Sequence, residues 1–279
     1  MSSSKSISCG VTVLSSVLLT AGQTPAFCSE EQLQLNYTGE ALDQIIPIPK
    51  QEENKNIKMM PGSSNRLKQK KVVRLHIARG SVLDFVGDAF VNAANEGCVA
   101  GFGLDEQVNK SGGYQLKEAR KRLNGCLTGQ AKLTKSFEHL NTNYIIHAVG
   151  PVFRENRINT SNTTPGNLDL LLASAYRNAL QIAMQQDDIR SVAFCLLSTG
   201  VFRGDHQLAE LCEIAICSIR DGIIDEPWKT TENCEATEHG DEITRRSNNC
   251  LEDVYIVAYT YEEQRALEQA FINVFSRPS

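Results

Sequence analysis

The sequence predicts an α/β fold in which a mixed sheet of about six strands lies between two layers of helices. From residue 71 onward, short apolar runs alternate with stretches in which apolar residues recur at helical spacing. Several of the short runs are apolar on both faces, which is typical of strands that helices cover on both sides. One domain over residues 71–279 therefore accounts for most of the chain.

The predicted strands and helices of this domain follow from composition and spacing. The strands rest on runs rich in β-branched and aromatic residues, and they cover residues 72–77, 88–93, 131–136, 144–149, 192–197 and 254–259. The helices rest on apolar stripes, and they cover residues 104–110 with a continuation toward Leu123, 168–184, 207–220 and 262–275. Polar stretches at 154–167 and 226–252 predict surface loops, the second of them a long insertion.

The residues before this domain differ from it in composition. Residues 29–70 are rich in Glu, Gln, Asn and Lys, which predicts a disordered linker. The apolar run VTVLSSVLLT at 11–20 has the length of a signal-peptide core but is too short for a membrane span. Residues 1–28 are therefore either a signal or plastid-type targeting segment, cleaved near Ala26, or a disordered tail with an apolar patch. The second alternative implies a cytoplasmic or nuclear protein.

The net charge and the cysteines exclude several classes of function. A formal net charge of -5 disfavours a protein that neutralises many nucleic-acid phosphates, because that mode needs an excess of Lys and Arg. The nine cysteines are scattered and never form a CxxC pair. Even Cys212, Cys217, Cys234 and His239 lack the closely spaced ligand pairs of a structural zinc site. We therefore expect buried thiols and no metal. Separately, we expect no cofactor, no membrane span and a monomer.

Two asparagines lie near the C-terminal end of the predicted strand at 88–93 and in the turn after it. Asn92 and Asn95 lie in the segment VNAAN, and asparagine is a poor strand residue. In open α/β sheets, ligands bind at the carboxyl ends of the strands, and an amide side chain offers a donor and an acceptor for sugar hydroxyls. The alternative is that both asparagines only shape the turn, since Asn makes Asx-turns and tolerates left-handed backbone.

A glycine-containing turn precedes the first predicted helix. Gly101 and Gly103 let backbone amides approach a phosphate, and the helix that begins at Leu104 adds the partial positive charge of its N-terminus. Asp105 follows in the first helical turn, where it is either a catalytic carboxylate or an acid that favours the helix dipole.

A second turn of this kind joins the predicted strand at 192–197 to the helix at 207. Its sequence, Ser198-Thr199-Gly200-Val201-Phe202, carries hydroxyls and a glycine, so it offers a second set of amides to an anion. Phe202 either packs over a sugar ring or belongs to the core at the base of the loop.

Together with LNGCLTGQA at 123–131 and IHAVGP at 146–151, these segments resemble the macrodomain family, most closely its MacroD-type branch, over residues 71–276. The resemblance implies a three-layer α/β/α macrodomain that binds ADP-ribose or an ADP-ribosylated protein. It also implies that Asn92 and Asn95 hold the distal ribose, that the two glycine loops wrap the diphosphate, and that Asp105 serves hydrolysis. Hydrolytic members release ADP-ribose from acidic side chains or deacetylate O-acetyl-ADP-ribose.

The chain departs from the family pattern at several positions. Ser81-Val82 stands where the family usually has Asp-Ile, so the acceptor for the adenine amino group is neutral and weaker. Phe102 interrupts the glycine run, Asn109 replaces the usual histidine, and Arg203 follows the last loop in place of the usual glycine. Arg203 offers a compensating phosphate contact.

The expected activity is hydrolysis of mono-ADP-ribose from acidic residues of proteins, or deacetylation of O-acetyl-ADP-ribose. Asn95 orients the distal ribose, and Asp105 positions or partly deprotonates the attacking water. The expected catalytic residues are Asn95 and Asp105, and the expected ligand-binding residues are Ser81, Val82, Asn92, Gly101, Gly103, Ser198, Thr199, Gly200, Val201 and Phe202. His147, inside a predicted strand, is expected to be a core residue. The alternatives are a non-catalytic ADP-ribose reader and a divergent macrodomain that has lost its ligand.

Overall fold

Seven strands form one mixed sheet in a computed structural model that describes residues 12–20, 72–99, 101–138, 141–154, 165–225 and 250–276. In chain order the strands are Thr12–Thr20 (β1), Val72–Arg79 (β2), Ala89–Ala93 (β3), Ala131–Lys135 (β4), Tyr144–Ala148 (β5), Ser191–Cys195 (β6) and Asp253–Ala258 (β7). The sheet order is β1-β2-β7-β6-β3-β5-β4. The five inner strands are parallel, whereas β1 and β4 are antiparallel to their neighbours. All six predicted strands and the mixed sheet are confirmed.

The additional strand, β1, comes from the apolar run near the N-terminus. It pairs antiparallel with β2, and Val17 lies opposite Leu75. Leu14 and Val17 pack against the hydrophobic core. The sheet therefore has one strand more than the sequence predicted, although the targeting role of residues 1–28 stays a prediction. The predicted linker at 29–70 lies outside the described residues.

In the described part of the chain, five helices lie on the two sides of the sheet. They are Leu104–Ser111 (α1), Gly113–Arg122 (α2), Pro165–Gln185 (α3), Leu208–Ile224 (α4) and Tyr261–Ser276 (α5). The prediction of one helix from Leu104 toward Leu123 was wrong, because Gly113 has a φ of +67° and divides it into α1 and α2. The end of the loop predicted for 154–167 was wrong, because α3 begins at Pro165 and proline is favourable in the first helical turn. Residues 155–164 of that loop lie outside the described residues.

The hydrophobic core lies between these helices and the sheet. The apolar stripe predicted for α3 is buried, including Leu172, Ala175 and Ala179, and α3 packs against α4 as well as β4 and β5. In β2, Leu75 and Ile77 are fully buried. Among the described residues, no helix is long and apolar enough to cross a membrane. The predicted insertion at 226–252 is described only from residue 250 onward, where Leu251 is buried.

The order of the connections places a crevice between β3 and β6. After β3 the chain passes through α1 and α2 to β4 and β5 on one side, whereas after β6 it passes through α4 to β7 on the other side. Neighbouring parallel strands whose connections leave in opposite directions open a crevice at their carboxyl ends. The turns that follow β3 and β6 are the two in which sequence analysis predicted ligand-binding residues.

Candidate functional site

A cavity of about 460 Å³ lies over the carboxyl ends of β2, β7, β6 and β3. It is lined by every predicted site residue except one, namely by Ser81, Val82, Asn95, Gly101, Gly103, Asp105, Ser198, Thr199, Gly200, Val201 and Phe202. Asn92 is the exception, since it is fully buried in β3 beneath the cavity. The volume of the cavity is in the range of small-molecule and cofactor sites.

The first wall of the cavity is the turn from Gly101 into α1. Gly103 is the N-cap of α1 with a φ of +64°, a conformation that favours glycine. The first backbone N–H groups of a helix have no acceptor within the helix, so this end of α1 offers donors and a positive dipole end to an anion. Gly101 is needed for a different reason, because a Cβ there would lie 2.5 Å from Oδ2 of Asp105. Phe102 between them lines the cavity but is 92% exposed.

The opposite wall is the loop from Ser198 to Phe202. Ser198 has a φ of +60°, and its hydroxyl donates to the Pro151 carbonyl at 2.8 Å, which fixes the turn after β6. The Phe202 carbonyl accepts from the Phe153 N–H at 2.8 Å. Within the described part of the chain, the N–H groups of residues 199–202 make no backbone hydrogen bond. The loop is therefore held by its carbonyl and hydroxyl groups while its amides stay available at the cavity.

Glu263 in the first turn of α5 connects this loop to β7. Its Oε2 accepts hydrogen bonds from the N–H groups of Tyr259 and Thr260, both at 2.9 Å, and the Thr260 hydroxyl in turn accepts from the Glu263 N–H at 3.1 Å. This is a capping box at the start of α5. Oε1 of Glu263 accepts from the Thr199 hydroxyl at 3.1 Å. Glu263 was not predicted as a site residue, although the pattern Thr260-x-x-Glu263 indicates a helix start.

The far end of the cavity lies at the turn after β2. Ser81 caps a single 3-10 turn, Val82–Asp84, by accepting a hydrogen bond from the Leu83 N–H at 3.2 Å. Tyr259, directly after β7, also lines this cavity and is 72% exposed. Tyr259 was not predicted, since a single aromatic residue at the end of a strand resembles any other strand residue.

Asp105 lies at the bottom of the cavity with only 3% of its surface exposed. Its Oδ1 accepts a hydrogen bond from the Asn92 amide at 2.6 Å and forms an ion pair at 2.7 Å with Nη2 of Arg120. Among the described residues, Oδ2 has no hydrogen-bond partner. Burial raises the pKa of Asp105 above its usual value, against the lowering effects of Arg120 and Asn92. Oδ1 is thus held by protein groups, whereas Oδ2 is available to accept a hydrogen bond from a ligand or a water.

Arg120 is fully buried, although it comes from the charged stretch KEARKR of α2. Besides Asp105, it donates from Nη1 to the Asn109 side chain at 2.8 Å and from Nε to the Cys98 carbonyl at 3.0 Å. Arg120 therefore joins α2, α1 and the turn after β3. Arg120 was not predicted as a site residue, because nothing in the local sequence distinguishes it from the exposed Arg122.

His147 supports the same cluster from β5. It is fully buried, and its ring nitrogens contact the Asn92 amide at 3.2 Å and the Thr134 hydroxyl at 2.9 Å. Burial and the positive charge of Arg120 hold the pKa of His147 well below its usual value, so the ring is neutral. It does not line the cavity. His147 is the core residue that the sequence predicted.

Taken together, the fold and this site define an open α/β domain with a ligand cavity at the switch point of its sheet. The Macro domain family model matches residues 91–212. Over 149 residues the chain is 40% identical to the "Macro domain-containing protein RSc0334" of Ralstonia nicotianae, covering 53% of this chain and 80% of that protein. The chain therefore belongs to the macrodomain family.

Two further relatives are named for their ligand or activity. The chain is 39% identical over 124 residues to the ADP-ribose glycohydrolase MACROD2 of Xenopus laevis, covering 44% of this chain and 28% of that protein. The fold of this chain is similar to that of the Trypanosoma brucei macrodomain in complex with ADP-ribose, with a TM-score of 0.53 and 29% identity. That similarity covers 71% of this chain and 68% of the other.

Proposed function

We propose that this macrodomain binds ADP-ribose and hydrolyses mono-ADP-ribose esters on acidic side chains of proteins, with O-acetyl-ADP-ribose as a second substrate. The observation that carries the proposal is the position of Asp105 at the bottom of a cavity with two amide-rich walls. The relatives named for ADP-ribose or its glycohydrolysis support it.

The chemistry of the walls suits a nucleoside diphosphate attached to a sugar. A diphosphate is bound without excess positive charge where backbone N–H groups and a helix N-terminus face it, as at α1 and at residues 199–202. Asn95 lines the cavity next to Gly101, where its amide suits the hydroxyls of the distal ribose. Asn92 then acts on the reaction through Asp105 rather than through the ligand.

Asp105 serves the reaction as the group that positions a water. Its Oδ2 accepts a proton from the water, whose oxygen attacks the ester carbon or the anomeric carbon of the distal ribose. Attack at the ester carbonyl carbon breaks its bond to the ribose oxygen, and the departing oxygen takes the proton from Asp105. Attack at the anomeric carbon breaks its bond to the ester oxygen, the carboxylate leaves, the water oxygen becomes the ribose hydroxyl, and Asp105 releases its proton to solvent. Both routes give ADP-ribose and a free carboxyl group. A raised pKa makes Asp105 a stronger base than an ordinary carboxylate.

Isothermal titration calorimetry with ADP-ribose tests the binding half of the proposal. We expect saturable binding of ADP-ribose by the wild-type chain and much weaker binding of ribose 5-phosphate, which lacks the adenosine and one phosphate. Absence of binding heat at several temperatures would show that this chain is a macrodomain without its ligand, and both halves of the proposal would fail.

Single-turnover release of ADP-ribose from a glutamate-modified protein tests the hydrolytic half. We expect Asp105→Ala to slow release by about 10²–10⁴-fold, the usual contribution of a positioned acid or base. Asn95→Ala should slow release and weaken ADP-ribose binding together. Binding without release by the wild-type chain contradicts hydrolysis.

A non-catalytic reader of ADP-ribosylated protein is the second candidate. It is favoured by the ion pair of Asp105 with Arg120, because loss of either partner would leave an uncompensated buried charge, so the fold needs Asp105 whether or not the carboxylate reacts. A reader retains affinity for the modified protein in the turnover assay and leaves the ester intact over many hours.

A further inference from the structure

The buried cation beside Asp105 belongs to Arg120, a residue that does not line the cavity. We propose that Arg120 is a positioning residue: its guanidinium keeps Asp105 ionised and holds Oδ1, so that Oδ2 alone is left to accept a proton from the water. This inference rests on the proposed hydrolysis, but the state of Asp105 can be measured without turnover.

The geometry of the contact separates the two oxygens of Asp105. Oδ1 is occupied twice, by Nη2 of Arg120 at 2.7 Å and by the Asn92 amide at 2.6 Å. Oδ2 has no hydrogen-bond partner among the described residues and lies 2.5 Å from the position that a Cβ would take at Gly101, a residue of the cavity wall. A carboxylate held at one oxygen cannot rotate freely, so the remaining oxygen keeps a fixed direction for a water.

The other two nitrogens of the guanidinium hold the Arg120 side chain in place. Nη1 donates to the Asn109 side chain, and Nε donates to the Cys98 carbonyl. Asn109 is in turn held by a 3.4 Å hydrogen bond from its amide to the Val99 carbonyl. Nη1 and Nε are therefore hydrogen-bonded to α1 and to the turn after β3, while Nη2 forms the ion pair with Asp105 in α1. A lysine at this position has a single nitrogen and cannot make these contacts at once.

Three described titratable groups near Asp105, namely His147, Cys98 and Cys195, are uncharged near pH 7. His147 lies behind Asn92 in β5, and its pKa is well below its usual value because of burial and Arg120. Burial raises the pKa of the Cys98 thiol in the turn after β3, and raises that of Cys195 in β6 to about 12. The positive charge that offsets the desolvation of the Asp105 carboxylate thus comes from Arg120.

The test compares the wild-type chain with Arg120→Met, Arg120→Lys and the control Arg122→Met, which removes an exposed arginine from the same helix. The first readout is the pH dependence of the Asp105 carboxyl carbon in NMR spectra, identified by its loss in Asp105→Asn. We expect its titration midpoint to move up by about 1–3 pH units in Arg120→Met, the usual effect of losing an adjacent arginine. Arg122→Met should leave it unchanged.

The second readout is the pH profile of ADP-ribose release. We expect its acid limb to move up with the midpoint in Arg120→Met. In Arg120→Lys the acid limb should stay near that of the wild type while the rate falls, because the positive charge is kept but the hydrogen bonds to Asn109 and Cys98 are lost. A purely structural Arg120 would lower stability in both variants without moving the acid limb or the Asp105 titration, and that result overturns the proposal.

Two outcomes keep the test decisive. If Arg120→Met does not fold, the wild-type titration alone still decides, since a protonated Asp105 at pH 7 contradicts the proposed role of Arg120. If the wild-type chain releases no ADP-ribose but the Asp105 midpoint shifts as expected, hydrolysis is wrong while the control of Asp105 by Arg120 stands.

Discussion

Replacing Glu263 by alanine should destabilise the domain through the loop at the cavity as well as through α5. The carboxylate accepts from two backbone N–H groups at 2.9 Å and from the Thr199 hydroxyl at 3.1 Å. Loss of a helix cap costs typically about 1 kcal/mol, and loss of a hydrogen bond from a partly buried hydroxyl costs about 1 kcal/mol more. We therefore expect Glu263→Ala to lower the free energy of unfolding by about 2 kcal/mol.

The adjacent residue supplies a matched control. Glu262 carries the same charge in the same helical turn, but its side chain is 74% exposed and makes a surface ion pair with Arg203 at 3.4 Å. Glu262→Ala should cost less than about 1 kcal/mol, as for most exposed ion pairs. Any effect of the negative charge on the α5 dipole is shared by the two variants, so their difference reports the hydrogen bonds of Glu263.

Urea unfolding followed by circular dichroism measures both variants against the wild type. For a domain of this size, about 2 kcal/mol corresponds to a fall in Tm of roughly 4–8 °C. The same samples titrated with ADP-ribose should show weaker binding by Glu263→Ala, because Thr199 lines the cavity. Equal destabilisation by the two variants would refute the link that we assign to Glu263.

Two further predictions concern a glycine and a buried carboxylate. Gly101→Ala introduces a Cβ 2.5 Å from Oδ2 of Asp105 and should slow ADP-ribose release at least about tenfold, because it displaces that carboxylate. Gly97→Ala serves as the control, since its Cβ meets nothing nearer than 3.4 Å. Equal release rates in the two variants would contradict a displacement of Asp105 by the new Cβ. Although burial raises the pKa of Asp253, hydrogen bonds from Arg74 and His76 lower it to about 2. That value is below the ordinary one of about 3.9, so the carboxylate stabilises the fold fully above about pH 4 and loses this effect as the pH falls through 2. Asp253→Asn should therefore show a flatter pH dependence of urea unfolding between pH 4 and 2, and a dependence as steep as in the wild type would contradict this assignment.

The sequence predicted the parts of the site that depend on local signals. The turns around Gly103 and Gly200 follow apolar runs and precede helical stripes, so their place at the strand ends followed from the α/β pattern. Asp105 was recognised because it follows one of these turns. That Asn92 contacts Asp105 rather than the cavity was not predictable, because side chains alternate in direction along a strand and a shift of one residue exchanges the two faces.

Long-range contacts account for what the sequence did not predict. Arg120 is buried because Asp105, Asn109 and the Cys98 carbonyl surround it, and each of these lies more than ten residues away in the chain. The strand at Thr12–Thr20 was missed for a related reason, since its partner begins only at Val72. Read by itself, an apolar run of this length fits a signal-peptide core as well as a strand.

The edge strand β1 gives the predicted processing of the N-terminus a structural consequence. Cleavage near Ala26 would remove β1 together with the targeting segment. It would leave the outer N–H and C=O groups of β2 without their partner. An unpaired edge is a template for a strand from another molecule, so the shortened chain would be prone to dimerise or aggregate through β2. Precursor and mature chain would then differ in their state of association, and not only in their location.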